Sequence, residues 1–564
     1  MKLKREKESV YFADMSRCLP ARNLSCKGGN NRWRIIPYHT SRDYASIKGL
    51  YLMKRDARSA KAYFAGMAVE SPFAGNGCDI SYPLERKGWY AVFVAITGAG
   101  KVKIKFSRDS GFTTFRKASP DWKGYEEAIV GFRKIDGESL VFSPAPQNPD
   151  DSAVIAYIKI VPLTPDEVKE HSHRFPPKEK IITGTRDSAG WYDNNDTEQK
   201  MADAVFNQLS DSPVGMLYLG MPSLGCILNY EDLILKGEYF HCGWKSFSAD
   251  PVKKFLLRGE SPLGIAVKLA HRSGLKIHFF QRPGRFYDPA TGLTTPFYAD
   301  NPGWRLKNKN GRDILGRMSV AFPEVRRYLA DCLRETLKHG PDGVNICLIR
   351  GAPLALYESP LIEEFGEKYH ADPAKLKAGD ERLVELRCKY TTQYIREVRE
   401  MLDDEGKRRK KKFQLSVMVF GDRKTNRHIG LDVEKWIEFS LVDIVNPWHV
   451  PVWWPPTITG KTADLDYWAS LQGNKTKIVP FIRYRWEDAA RLADKAYSKG
   501  FSEFAFWDID WEMNESRRWQ TLKRIVSHES VKAIKPDDWL PRVGYFEIYD
   551  DFGWNIDFGP FGAG

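Results

Sequence analysis

The sequence predicts an α/β fold, a (β/α)8 TIM barrel preceded by an all-β sandwich domain. Three observations carry that expectation. Eight short apolar runs, each followed by a helical pattern, fill the chain from about Lys180 to Glu515. From about Asn31 to Leu163 the pattern is different: strands rich in Val, Ile, Tyr and Phe are broken by Gly, Asp and Pro, with no amphipathic helix among them. A chain of 564 residues is also too long for one core.

The eight runs are Lys180–Asp187, Val214–Gly220, Leu275–Pro283, Asp342–Gly351, Phe413–Asp422, Leu441–His449, Lys477–Trp486 and Glu503–Glu512. Strands that alternate with helices pair in parallel, because a parallel neighbour needs a crossover. Eight such units match the closed barrel, whose chemistry sits at the C-terminal strand ends. Helical spacing of apolar residues marks Glu198–Asp211, Ser261–Gly274, Phe322–Gly340, Glu381–Asp404 and Glu487–Gly500. Long connections follow strand two (Met221–Asp250), strand three (Gly284–Ala321) and strand four (Ala352–Asp380), and connections of that length are usually functional. All three leave C-terminal strand ends, so they are expected to rim one mouth.

In the earlier part, Gly88–Gly98, Lys101–Arg108, Ser139–Ala145 and Ala153–Leu163 read as strands at sandwich spacing. The expected boundaries are an irregular segment over 1–30, the sandwich over 31–163, a charged linker over 164–179, the barrel over 180–530 and a C-terminal extension over 531–564.

Composition narrows the partners. A formal charge of +13 favours acidic ligands, or is diffuse surface charge. The basic run Lys407–Lys412 precedes strand five, at the wrong end of a barrel for a site, and reads as a solvated loop ahead of a nucleic-acid patch. No recognised nucleic-acid motif accompanies it, so nucleic acid is not the expected partner. No apolar run reaches the roughly 18 residues of a membrane helix, and no membrane partner is expected. The basic N-terminus lacks a following apolar core, so the chain as given shows no secretory signal. Localisation stays open: a trimmed leader would imply a secreted or periplasmic protein, and without one the expectation is cytoplasmic. The eight cysteines form no CxxC and read as free thiols.

The strand ends supply the candidate chemistry. Carboxylates fall at Asp422, Asp508 and Asp510, and Glu358 follows strand four. Paired carboxylates provide the acid and the base or nucleophile that cleave a glycosidic bond. Alternation along strand eight places Asp508, Asp510 and Glu512 on one face; if that face points into the barrel, Trp507, Ile509 and Trp511 lie on the other, against the helices. Arginines fall at Arg186, Arg282, Arg350, Arg483 and Arg485, with Arg285 just beyond strand three. Converging guanidiniums suit a uronate, a sulfated sugar or a phosphate, or equally pair with the neighbouring aspartates. Trp448, Trp454 and Trp486 offer flat faces for sugar rings, and His449 ends strand six. No HExxH, GxSxG or P-loop appears, and neither a metal nor a cofactor is expected.

The stretch DGVNICLIRGAPLALYESPLIEEFGEKYHADPAKL, through the helix TTQYIREVREML, resembles bacterial glycoside-hydrolase-like proteins of the "family 10 glycosylhydrolase" group in its broad sense. AVIAYIKIVPLTPDEV is similar to the end of the galactose-binding-like sandwich that precedes the barrel in such proteins. The resemblance implies a barrel hydrolase acting on a poly- or oligosaccharide. Family 10 xylanases carry Asn-Glu after strand four and Glu after strand seven, where this chain has Arg350-Gly351 and Arg485-Trp486-Glu487. Xylanase activity is therefore not implied. The expectation is a glycoside hydrolase for an acidic saccharide; the alternatives are a non-catalytic carbohydrate-binding barrel and, after it, a nucleic-acid enzyme. Oligomeric state stays open.

Overall fold

The structure, a computed structural model, describes residues 3–26, 31–40, 65–72, 77–98, 100–109, 111–116, 124–145, 152–171, 177–186, 196–220, 226–236, 250–286, 295–448, 464–473, 475–482, 489–509, 513, 516–534, 543–549 and 555–556. The chain divides into two compact units, one of residues 1–176, 202–213 and 510–564, the other of 177–201 and 214–509.

The first unit holds two mainly antiparallel sheets. The smaller runs Ile80–Pro83, Ser139–Pro144, Lys101–Phe106, Thr113–Arg116 in pairing order. The larger includes Trp33–Thr40, Ala65–Glu70, Val154–Pro162, Lys87–Thr97 and Gly124–Asp136. Val92, Val94 and Ile96 of the larger sheet share one apolar core with Ile80, Ile104 and Phe142 of the smaller. The late strand Val543–Tyr549 pairs antiparallel with both Gly124–Asp136 and Trp33–Thr40. Within the expected linker lies a helix, Pro165–His171. Glu167 steadies its start by accepting from the Thr164 N–H at 2.9 Å and the Lys4 N–H at 2.8 Å.

The second unit is built on a parallel sheet of eight strands. They are β1 (Ile182–Arg186), β2 (Val214–Gly220), β3 (Lys276–Gln281), β4 (Gly343–Cys347), β5 (Gln414–Phe420), β6 (Ile444–Trp448), β7 (Lys477–Ile478) and β8 (Phe504–Phe506). Each lies inside one of the eight apolar runs. Their order is β7-β6-β5-β4-β3-β2-β1-β8. A parallel bridge then joins Phe481, just past β7, to Ala505 of β8, so the two ends of that order meet.

Side chains show the same curl. The Tyr218 hydroxyl of β2 donates to Asn446 Oδ1 of β6 at 2.9 Å. Those strands are four apart, which in a flat sheet is roughly 19 Å. His278 Nδ1 of β3 lies 2.9 Å from Ser416 Oγ of β5, and Asn345 Nδ2 of β4 donates to the same oxygen at 2.8 Å. The sheet is consistent with a TIM-like barrel, with a polar layer in its interior.

That layer makes stability pH-dependent. Burial lowers the His278 imidazole from 6.5 to about 4, so it is neutral in the fold. As pH falls below 6.5 the unfolded chain takes up the proton first. The neutral ring's contribution is complete above that value and is lost as pH falls through about 4, on the order of 3 kcal/mol in all. His278→Asn keeps a polar atom near Ser416 and is expected to flatten the urea midpoint between those pH values. His339, which burial lowers to about 4, adds slope of the same sign in both proteins. An identical pH slope in wild type and variant would reject this role for His278.

The crossovers follow the expected helices, among them Pro262–Arg272, Pro323–Leu337, Glu381–Arg409 and Ala489–Ser498. Ser261 caps the first of them, its side chain accepting from the Gly264 N–H. The basic run is half helix and half loop: Lys407–Arg409 close the helix Glu381–Arg409, and Lys410–Lys412 lead on to β5, with Lys410 in the left-handed region at φ 52°. Lys407 pairs with Asp404 at 3.2 Å, Arg409 with Glu405 at 2.9 Å and Lys412 with Asp443 at 3.6 Å. Cations there also complement the helix dipole. Among the described residues no helix is long and apolar enough to cross a membrane.

Candidate functional site

The C-terminal ends of the parallel strands converge on one indole. Trp507 directly follows β8 and is 8% exposed. Its ring lies 5.0 Å from that of Trp448, which ends β6, with the planes at 89°. It lies 6.2 Å from Phe280 of β3 and 6.4 Å from Phe481. Two guanidiniums cover it: Arg282, after β3, at 5.5 Å and Arg350, after β4, at 5.6 Å. Such cation–ring contacts gain strength as water is excluded, and Arg282 is buried.

Strand alternation explains the convergence. In β3, His278, Phe280 and Arg282 share one face and Gln281 takes the other. Gln281 turns to the helices: Tyr394 donates to it at 2.6 Å and it donates to the Leu329 carbonyl at 3.1 Å. The inner face is therefore the one that carries His278, Phe280 and Arg282. In β8 the same face carries Ala505 and then Trp507.

This reverses the expected phase of strand eight. The strand ends at Phe506, and Asp508 adopts a left-handed φ of 49°. Regular alternation does not pass through such a residue; Asp510 and Glu512 lie outside the described residues. Trp507, expected against the helices, is instead the centre of the aromatic cluster. The Asp508 N–H donates to Thr185 Oγ1 of β1 at 2.9 Å, which pins the bend. Ile509 is seated over Gly184, where a Cβ would come within 3.0 Å of it. Left-handed non-glycine residues cost energy and gather at functional positions.

The other expected residues divide. Arg186 ends β1 and is buried, whereas Arg350 is exposed. Asp422 caps the short helix Arg423–His428, its Oδ2 accepting from the Thr425 N–H at 2.8 Å and the Thr425 hydroxyl at 2.7 Å. Glu358 is fully buried and accepts from the Lys307 and Leu356 N–H groups and the Ser319 hydroxyl, each at 2.9 Å. Burial raises its pKa, and those hydrogen bonds oppose the rise. It anchors the hairpin of Arg305–Lys307 and Asp313–Met318 in the connection after β3. His449, Trp454, Arg483, Arg485, Trp486 and Asp510 lie outside the described residues.

Sequence reasoning did not select Trp507, Phe280 or Phe481 for the site. The available signal was Ala505: counting two residues on from a strand position that faces inward gives Trp507. Among the described residues no group of three His, Cys, Asp or Glu side chains could hold a metal ion.

No known family's sequence profile matches the chain, and no curated protein matches it. Solved structures do. The α-galactosidase TtGalA from Thermus thermophilus, in complex with p-nitrophenyl α-D-galactopyranoside, is 11% identical over 88% of this chain and 94% of its own, with a TM-score of 0.36. The cell-surface chitinase ChiW from Paenibacillus sp. str. FPU-7 is 11% identical over 83% of this chain and 40% of its own, with a TM-score of 0.35. Both likenesses are loose.

Proposed function

We propose that the chain is a glycoside hydrolase on a closed (β/α)8 barrel, accompanied by a β-sandwich, and that it cleaves an acidic poly- or oligosaccharide. The observation that carries this reading is the cluster around Trp507. The buried indole of Trp507 supports Trp448, a half-buried ring that can take the C–H face of a sugar, and the arginines gathered at these strand ends suit a sugar that bears an acid. Asp508 is the favoured catalytic carboxylate because it adjoins that indole on a pinned, left-handed backbone. Asp510 and Asp422 are candidates for its partner. Glu358, held by three donors, serves structure first.

The test is release of reducing ends from uronate-containing and sulfated glycans, with neutral glycans beside them. Turnover of the acidic set above the neutral set is the expected result. Cleavage of neutral glycans alone would remove the acidic assignment. A second reading, a carbohydrate-binding barrel without turnover, is favoured by one observation: both Asp422 and Glu358 are engaged in structural hydrogen bonds. Binding without reducing-end release would select it.

A further inference from the structure

The guanidinium cluster extends past the indole into the connections after β3 and β4. Gly284 and Gly351 meet backbone to backbone, so that a Cβ on Gly284 would lie 2.1 Å from the Gly351 carbonyl oxygen. Arg317, on the hairpin strand Asp313–Met318, donates to that same carbonyl. Next to it the Phe286 N–H donates to the Gly316 carbonyl at 2.9 Å. This backbone tie sets Arg285 and Arg317 beside each other where the connection leaves β3.

Among the described residues no carboxylate pairs with either cation. The hairpin's own acid, Asp313, is occupied by Lys307 at 2.7 Å and Arg305 at 3.4 Å. Burial, and then the Arg285 cation, lower the proton affinity of Arg317. Two like charges brought together and partly dehydrated are costly unless an anion joins them. Guanidinium forks fit the paired oxygens of carboxylate or sulfate.

We infer that Arg285 and Arg317 form an oxyanion subsite that holds the acidic substituent of the saccharide. The inference rests on the carbohydrate reading of the strand-end cluster. It assigns the acid to residues outside that aromatic cluster, so that the sugar ring and its charge are read by separate parts of the same region.

Calorimetric titration of the full chain with D-glucuronate, D-glucose 6-sulfate and D-glucose tests it. One of the two acidic sugars is expected to bind at least about tenfold tighter than glucose, with the gap closing as salt rises. The preferred acid separates carboxylate from sulfate. Arg285→Gln is expected to weaken that sugar by about tenfold or more and leave glucose unmoved. Because Arg317 also holds Gly351, Arg317→Lys, which keeps the charge and loses the fork, is the second variant; a similar selective loss is expected. No acid preference in wild type, or unchanged acid affinity in Arg285→Gln, would overturn the subsite. Selective loss in the variants without glycoside cleavage by any chain keeps the subsite and removes the hydrolase. Cleavage of a neutral glycan at equal rates in wild type and variants, with no acid preference, does the reverse.

Discussion

Asp508→Asn is expected to lower kcat for glycoside cleavage by about 10²–10⁴-fold while sugar binding stays within about threefold. The amide keeps the size of the side chain and its tolerance of a left-handed backbone, and Asp508 already sits at φ 49°. The Asp508 N–H bond to Thr185 is made by the backbone and survives the change. What is lost is the capacity to exchange a proton or attack. Asp422→Asn is the matched comparison. Asn caps a helix as well as Asp does, so the bonds from Thr425 are retained and a fall in kcat would report chemistry. Reducing-end kinetics with calorimetry on the same samples decide the matter. If Asp508→Asn turns over at the wild-type rate, that residue is not a catalytic carboxylate.

The second large effect belongs to Trp507. Trp507→Ala removes a buried indole that touches Trp448, Phe280 and Phe481 and lies under Arg282 and Arg350. The expected loss is about 3–5 kcal/mol, read as a lower urea midpoint at unchanged m-value. Sugar affinity should fall with it, because the two cations lose the face that orders them. Trp507→Phe retains an aromatic face and should recover much of the stability. A change below about 1 kcal/mol in the alanine variant would mean that Trp507 is not the centre of a packed cluster.

The parallel sheet was legible because its strands are buried on both faces, so each reads as a continuous apolar run with nothing to confuse it. Helix stops were legible for a similar local reason: Gly274 and Gly340, both at positive φ, follow Ser273 and His339 where the pattern ends. The phase of β8 was not. A strand of period two has two equivalent phases, and a shift of one residue exchanges its faces. The acidic residues after Phe506 suggested one phase, and the bend at Asp508 removes the continuity on which that count depended. Glu358 was equally opaque. Its three donors come from Lys307, Ser319 and Leu356, and no local pattern announces that a distant hairpin will claim a carboxylate. The pairing of Arg285 with Arg317 is non-local in the same way, set by a close approach of two glycines from different connections.

The placement of Val543–Tyr549 between Gly124–Asp136 and Trp33–Thr40 also bears on how the protein is made. Both neighbours leave the ribosome long before their shared partner is translated. Until then each presents an unsatisfied row of amides and carbonyls, the kind of border along which nascent chains join one another. A short seam between these two strands therefore stays open during synthesis until Val543–Tyr549 arrives.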